Sequence, residues 1–468
     1  VALVKNLHRR VLESAVAWSF LGTFLRVGAS VFVLPLVLRT LPAEHLGMWY
    51  IFGSLGSFAM LLDLGFEATI TRMASYVWAG TPGLAAFGLH DGPASGVPNR
   101  ALFRDLVATL RAYYFALGLF VLLLLELGGS AWVWARSEGI PEASTVRGAW
   151  VIYALGVSLN FVGGRWPALI SGIGALRAAQ QVNVAGLLLY YIIAVAGLTA
   201  GYGLWSLVAA MLMMGVFVRA LGRLVFVRTA NLPGSIPAPR FNREIFSSIW
   251  PNAWRTGLVS VGAFLIIQAN TLICSAFLDL STTASYGISF QLVTMLVGLS
   301  AVWVQVKIPL ISQLRLQGKG TEIAIIFARR LRFSIISYFC GTLVIIYFAP
   351  WILHAIGSKT TLLPKNILTS LAVIQFLEMH HSLYGQLVLT ENRNPFLRPA
   401  LVSGLLIVGA SLMLTPRIGV WGMLLAAGGV QACFNNWWPV VRAVRGLNLA
   451  DGGYWSYFFS LRDPWKTV

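Results

Sequence analysis

Charge is scarce in this sequence. Of its 468 residues, 11% are Asp, Glu, Lys or Arg, while 57% are hydrophobic. A soluble domain carries about 25% charged residues, and a soluble fold of this length could not hide so much apolar surface. Lipid can, because it is the solvent such side chains prefer. Carboxylates are the rarer sign, with 16 Asp and Glu against 34 Lys and Arg, a net charge of +18. In a soluble protein that excess would suggest nucleic acid. Here the basic residues are scattered among apolar runs, which argues against a nucleic-acid groove. Cysteine is almost missing. Cys274, Cys340 and Cys433 lie in apolar stretches with no C-x-x-C neighbour, so they read as small core residues, with no disulfide and no metal site. No nucleophile motif, Walker loop, G-x-G-x-x-G turn or metal-ligand spacing occurs, and no catalytic residue or cofactor is expected.

What is present is a series of long apolar runs. A helical span needs roughly 20 apolar residues. The runs fall at 12–38, 46–73, 102–127, 148–173, 178–199 and 203–227, then at 245–278, 282–311, 324–350, 364–390, 396–415 and 417–441. Only helices and closed barrels satisfy their backbone in lipid, and runs this continuous are helical. The first is longer than a signal-peptide core and reads as an uncleaved span. The connection 229–244, with Pro233, Pro237 and Pro239, separates an N-terminal lobe (1–228) from a C-terminal lobe (245–446). The tail 447–468 mixes Tyr454, Trp455, Tyr457, Phe458, Phe459 and Trp465 with charges, a composition suited to the membrane interface. The Gly- and Pro-rich connection 79–100 reads as a flexible loop.

Lys and Arg in the connections orient the chain. With both termini cytoplasmic, the outer side receives Arg39, Arg136, Arg147, Lys359, Lys365 and Arg417, against twenty on the cytoplasmic side. Most of the net charge therefore serves orientation. The halves also echo each other. Gly203-Leu204-Trp205 opens the sixth run and Gly419-Val420-Trp421 opens the twelfth, 216 residues later. Tyr50 in span two echoes Tyr286 in span eight, and Arg72 echoes Lys307. Six spans per copy means both insert the same way up, a parallel repeat that commonly holds substrate between its halves.

Some charges fall inside spans, where each costs about 2.5–3.5 kcal/mol on insertion scales. Arg26 sits mid-way along span one and Arg255 at the corresponding place in span seven. Arg suits phosphate, because its planar fork donates two bonds at once and stays charged. The other reading pairs each with a carboxylate such as Asp63. Arg165 and Lys307 are nearer the cytoplasmic ends, where snorkelling is easier. Asp63 and Glu67, four apart in span two, would share a helix face, as an ion-carrying pair or as salt-bridge partners of Arg26 and Arg72. Glu378 and His381 lie on one stripe of span ten, for proton coupling or for interhelical hydrogen bonding. Adjacent His380 and His381 point to different faces, so no metal site is implied.

The segment Leu41-Pro42-Ala43-Glu44-His45-Leu46-Gly47-Met48-Trp49-Tyr50, then Leu62-Asp63-Leu64-Gly65 and Arg72, resembles the first two spans of the polysaccharide and O-antigen flippases of the multidrug/oligosaccharidyl-lipid/polysaccharide (MOP) exporter superfamily. The glycine–aromatic openings at Gly203 and Gly419 resemble that family's sixth and twelfth spans. The resemblance implies an all-α integral membrane protein, with about twelve transmembrane helices in two pseudo-symmetric six-helix bundles around a central cavity. It implies a transporter rather than an enzyme, working by alternating access in the bacterial inner membrane. The substrate would be an undecaprenyl-diphosphate-linked oligosaccharide, such as an O-antigen unit of lipopolysaccharide. A proton or sodium ion would be the coupling partner, and a polysaccharide polymerase and chain-length proteins would be neighbours. Arg26 and Arg255 match the cationic cavity of such flippases. One departure concerns span seven, where the family often carries an acidic residue and this chain has Asn270.

Two other readings compete. A drug/cation antiporter of the same superfamily would need an acidic cavity, against which Arg26, Arg165 and Arg255 argue. An integral-membrane sugar polymerase or ligase would need a large outer loop, and the longest outer connection, 128–147, is too short for a domain.

Overall fold

In a computed structural model of the chain, the described residues are 15–63, 65–86, 95–162, 166–231, 236–391, 395–447, 449 and 453–459. Every regular element among them is helical, and each of the twelve apolar runs carries helix. Among the described residues, eight helices are long and apolar enough to cross a membrane. The chain is a multi-pass membrane protein.

Among the described residues, five spans are interrupted. Span two runs as Ala43–Met60, a 3₁₀ turn Leu61–Asp63 and Phe66–Trp78, with Gly65 left-handed at φ 67°. Span four splits into Ala143–Leu159 and Trp166–Gly172. Spans seven and eight split at Gln268 and at Val306–Lys307. Span twelve splits into Val420–Cys433 and Trp438–Arg445, the second piece opening with Pro439, whose missing N–H is harmless in a first turn. Span three instead extends: Arg100–Leu124, a π-turn Leu125–Gly129 and Ser130–Ser137 follow without a gap. The outer connection expected over 128–147 is thereby reduced to the few residues between Ser137 and Ala143.

Packing divides the chain into Val1–Phe264 and Leu265–Val468. This division falls inside helix Arg243–Ile267, later than the proline-rich connection that marks the boundary in the sequence. Contacts between aromatic rings account for it. Phe246 and Trp250 of that helix lie 6.1 and 6.2 Å from Phe66, and Phe246 lies 5.3 Å from Tyr113, so they hold it to spans two and three. The connection itself is fastened: Arg240 N–H donates to the Ala108 carbonyl at 3.2 Å, and Arg111 donates to the Pro237 carbonyl.

In lipid, hiding apolar surface gives helices no reason to associate, so close packing and interhelical hydrogen bonds hold them. In the first unit a Cβ on Gly172 would fall 2.7 Å from the Thr71 carbonyl oxygen, so spans two and four meet backbone to backbone there. Ser158 Oγ donates to the Gly118 carbonyl at 2.6 Å. The 79–100 connection is tied at its ends, with Ser95 N–H on the Gly80 carbonyl and Asn99 Nδ2 on the Thr81 carbonyl, each at 3.1 Å; residues 87–94 lie outside the described residues.

In the second unit, Tyr338 of helix Gly320–Ala355 donates to the Ala372 carbonyl of helix Lys365–Leu389 at 2.8 Å. The tail helix Gly453–Phe459 buries Tyr454 completely, and Tyr384 donates to its hydroxyl at 3.1 Å. Cys274 is buried as expected, but Cys340 and Cys433 are exposed.

Candidate functional site

Arg26 and Arg255 stand at the midpoints of helices Ala15–Thr40 and Arg243–Ile267; their side chains are outside the described residues, as is Arg165 altogether. Lys307 is half-buried in the break of span eight, directly before helix Ile308–Leu316.

Asp63 and Glu67 do not share a helix face. The left-handed Gly65 stands between them and starts a new helix. Asp63 is buried and accepts from Tyr114 Oη at 2.7 Å, while Glu67 is exposed. A carboxylate so placed fixes the broken end of Leu61–Asp63 against span three. Asn270 in span seven is likewise occupied, accepting from Ser411 Oγ of span eleven at 3.1 Å, with both residues buried.

Glu378 and His381 do come together, and they recruit neighbours from two further spans. His381 Nδ1 lies 3.0 Å from the Leu377 carbonyl and 3.1 Å from Asn436 Oδ1. Both are acceptors, so Nδ1 carries its proton. His381 Nε2 then faces Glu378 Oε1 at 3.4 Å. The other carboxylate oxygen accepts from Gln431 Nε2 at 2.6 Å. Asn435 Nδ2 continues the chain to Gln431 Oε1 at 2.5 Å and to Ser403 Oγ at 2.9 Å. The cluster thus joins span ten to spans eleven and twelve.

The chemistry of this arrangement follows from the tautomer. With Nδ1 committed, Nε2 is the ring nitrogen left to face Glu378, across a gap that one proton can bridge. The two side chains are 13% and 22% exposed, so the contact is largely shielded from solvent without being sealed. His380 faces elsewhere, its ring 5.0 Å from Tyr384 and 6.0 Å from Phe376. Among the described residues no group of three or more His, Cys, Asp or Glu could hold a metal ion.

Sequence reasoning passed over the span-twelve partners. Gln431, Asn435 and Asn436 are polar residues inside an apolar run, and that interruption is the signal that could have found them. It also passed over Arg219 of helix Leu204–Ala230. This guanidinium donates to Asn160 Oδ1 at 3.0 Å, the Val162 carbonyl at 3.2 Å and the Gly215 carbonyl at 2.6 Å. It satisfies the Val162 carbonyl left open where span four breaks and ties the Asn160 side chain to the same point.

No family model matches this sequence, and no curated protein matches it. Solved structures do. An inward-facing multidrug resistance MATE family transporter of the MOP superfamily superposes with a TM-score of 0.63 at 13% identity, covering 94% of this chain and 100% of that one. An outward-facing multidrug resistance MATE family transporter of the same superfamily gives 0.53 at 14% identity, over 93% and 98%. The MATE multidrug transporter DinF-BH, in a ligand complex, gives 0.59 at 12% identity, over 96% and 97%. The all-helical membrane fold of this chain is that of the MATE transporters of the MOP superfamily.

Proposed function

We propose that this chain is a transporter of the flippase type, carrying an undecaprenyl-diphosphate-linked oligosaccharide from the cytoplasmic to the outer leaflet by alternating access. The observation that carries this reading is an arginine at the midpoint of helix Ala15–Thr40 and another at the midpoint of helix Arg243–Ile267. A cation at that depth is costly, and a diphosphate is a ligand that repays it with charge-assisted, two-pronged hydrogen bonds. Lys307 and Arg165 would assist along the path. Asp63 and Glu67 would act as local counter-charges. The energy would come from a proton held by Glu378 and His381. The inner membrane of a bacterium, with both termini cytoplasmic, is the matching location, and a polysaccharide polymerase and chain-length proteins are the matching neighbours.

A second reading is favoured by the structural neighbours, which are multidrug transporters, one of them in a ligand complex. On that reading the cargo is an organic cation. Proteoliposomes decide between the two. The flippase reading expects protein-dependent movement of the lipid-linked sugar, reduced at least tenfold by Arg26→Ala and by Arg255→Ala. Export of the organic cation ethidium, with no movement of the lipid-linked sugar, would replace it with the drug reading.

A further inference from the structure

The last membrane helix, Trp438–Arg445, has two unlike faces. Pro439, Val440 and Ala443 are buried against the second unit. Trp438, Val441, Arg442 and Arg445 follow at i, i+3, i+4 and i+7, one side of a helix. They face an open pocket of about 460 Å³ that Trp437 and Glu391 also line. Arg442 lies 6.0 Å from the Trp438 ring centre, and its Nη2 is 3.7 Å from Glu391 Oε2.

Among the described residues, the charges in this pocket do not cancel. Glu391 is shared, because Arg315 Nη1 lies 3.5 Å from its other oxygen. Three further donors of Arg315 go to Thr390 Oγ1 at 2.8 Å, the Gly446 carbonyl at 3.1 Å and the Leu387 carbonyl at 3.4 Å. One carboxylate thus serves two guanidiniums, and Arg445, which is exposed, adds a third. Arg442 Nε is buried and has no hydrogen-bond partner, so a donor is left over inside the cluster. A pocket of similar size in the first unit makes a useful contrast. There Arg240 and Arg243 are equalled in number by Asp105 and Glu244, and among the described residues no tryptophan lines it.

We propose that the Trp437–Arg445 pocket binds the phosphate headgroup of an anionic phospholipid. A spare positive charge calls for an anion, and guanidinium forks match phosphate oxygens. Two tryptophans beside arginines at the end of a membrane helix mark the depth of lipid headgroups. Basic pockets between spanning helices are suited to such headgroups. A free phosphate would use the arginines but gain nothing from Trp437, which is half exposed beside the pocket.

The test uses the purified full chain in mild detergent, with retained lipid read by native mass spectrometry and thermal unfolding followed in parallel. Phosphatidylglycerol is expected to be retained and to stabilise, while phosphatidylcholine does neither. Arg445→Gln removes an exposed charge without touching the Glu391 pairs, and it should weaken phosphatidylglycerol retention about fivefold, the effect of one basic side chain near an anionic surface. Arg442→Ala should weaken it further. Arg417→Gln, at the opposite end of span eleven, should leave it unchanged. Equal retention by all three variants would overturn the proposal, as would inorganic phosphate alone reproducing the whole stabilisation.

Discussion

Gly203 and Gly419 adopt the same uncommon backbone conformation, φ 53° and ψ −128° in one, φ 61° and ψ −140° in the other. Each caps the start of a membrane helix, Leu204–Ala230 and Val420–Cys433. The sequence echo between spans six and twelve is therefore also a conformational one. Space is not what demands glycine. A Cβ at Gly203 would meet Leu41 Cδ2 at 3.8 Å, ordinary contact, and one at Gly419 would meet nothing within 4 Å. The backbone angles demand it. Gly203→Ala and Gly419→Ala should each cost about 1–3 kcal/mol, by similar amounts, measured as the fall in thermal unfolding midpoint. If one is neutral, the shared conformation is not a shared constraint.

Asp279 caps helix Leu280–Gln305, accepting from Thr282 N–H at 2.7 Å, with Ser281 and Thr282 hydroxyls at 2.8 and 2.9 Å. Partial burial alone would raise its pKa. The hydrogen bonds from Thr282 and Ser281 outweigh that and lower it. A lowered folded pKa contributes stability that is present above the unfolded value, about 3.9, and is lost as pH falls through the folded one. Asp279→Ala should cost about 1 kcal/mol near neutrality. The gap between wild type and variant should hold down to about pH 4 and narrow below it. A gap that widens in acid would contradict this.

Arg219 makes three hydrogen bonds to the broken end of span four and to its own helix. Arg219→Ala should lower stability by about 1.5–3 kcal/mol, the range for bonds to a charged group. Arg219→Lys should recover part of the loss, because an ammonium cannot span three acceptors held in a fork. Full recovery would show that charge, and not geometry, is what the site uses.

Glu378→Gln keeps the shape of the side chain but removes the carboxylate that faces His381. In proteoliposomes, transport by this variant should no longer respond to a pH gradient, while transport down a substrate gradient persists. His381→Gln should behave alike. A variant that still follows the pH gradient would place coupling elsewhere.

The twelve spans were legible because lipid imposes a single requirement, about 20 continuous apolar residues, that needs no knowledge of neighbours. Their breaks were not. The breaks at Leu61–Asp63 with Gly65 and at Val306–Lys307 each hold one charge, Asp63 or Lys307, too little to lower the hydropathy of a long window, so hydropathy alone does not separate them from a continuous helix. Asp63 and Glu67 show the cost, since a spacing of four means a shared face only if the helix continues. The Glu378–His381 pair was legible from its spacing within one helix. Its partners Gln431, Asn435 and Asn436 were not, because contact between helices distant in sequence leaves no periodic trace.

Helix Arg100–Ser137 has 38 residues and helix Gly320–Ala355 has 36, the third and ninth spans. At 1.5 Å per residue each is about 55 Å long, against a hydrocarbon core of about 30 Å. Such a helix either tilts or protrudes. Arg100, Arg104 and Arg111 in one, and Arg329, Arg330 and Arg332 in the other, give each a basic collar that favours the headgroup layer. With so much length to spare, a thinner or thicker bilayer changes how far the collars stand out rather than how the helices pack. Stability should therefore depend weakly on acyl-chain length, and these two spans are where the chain absorbs hydrophobic mismatch.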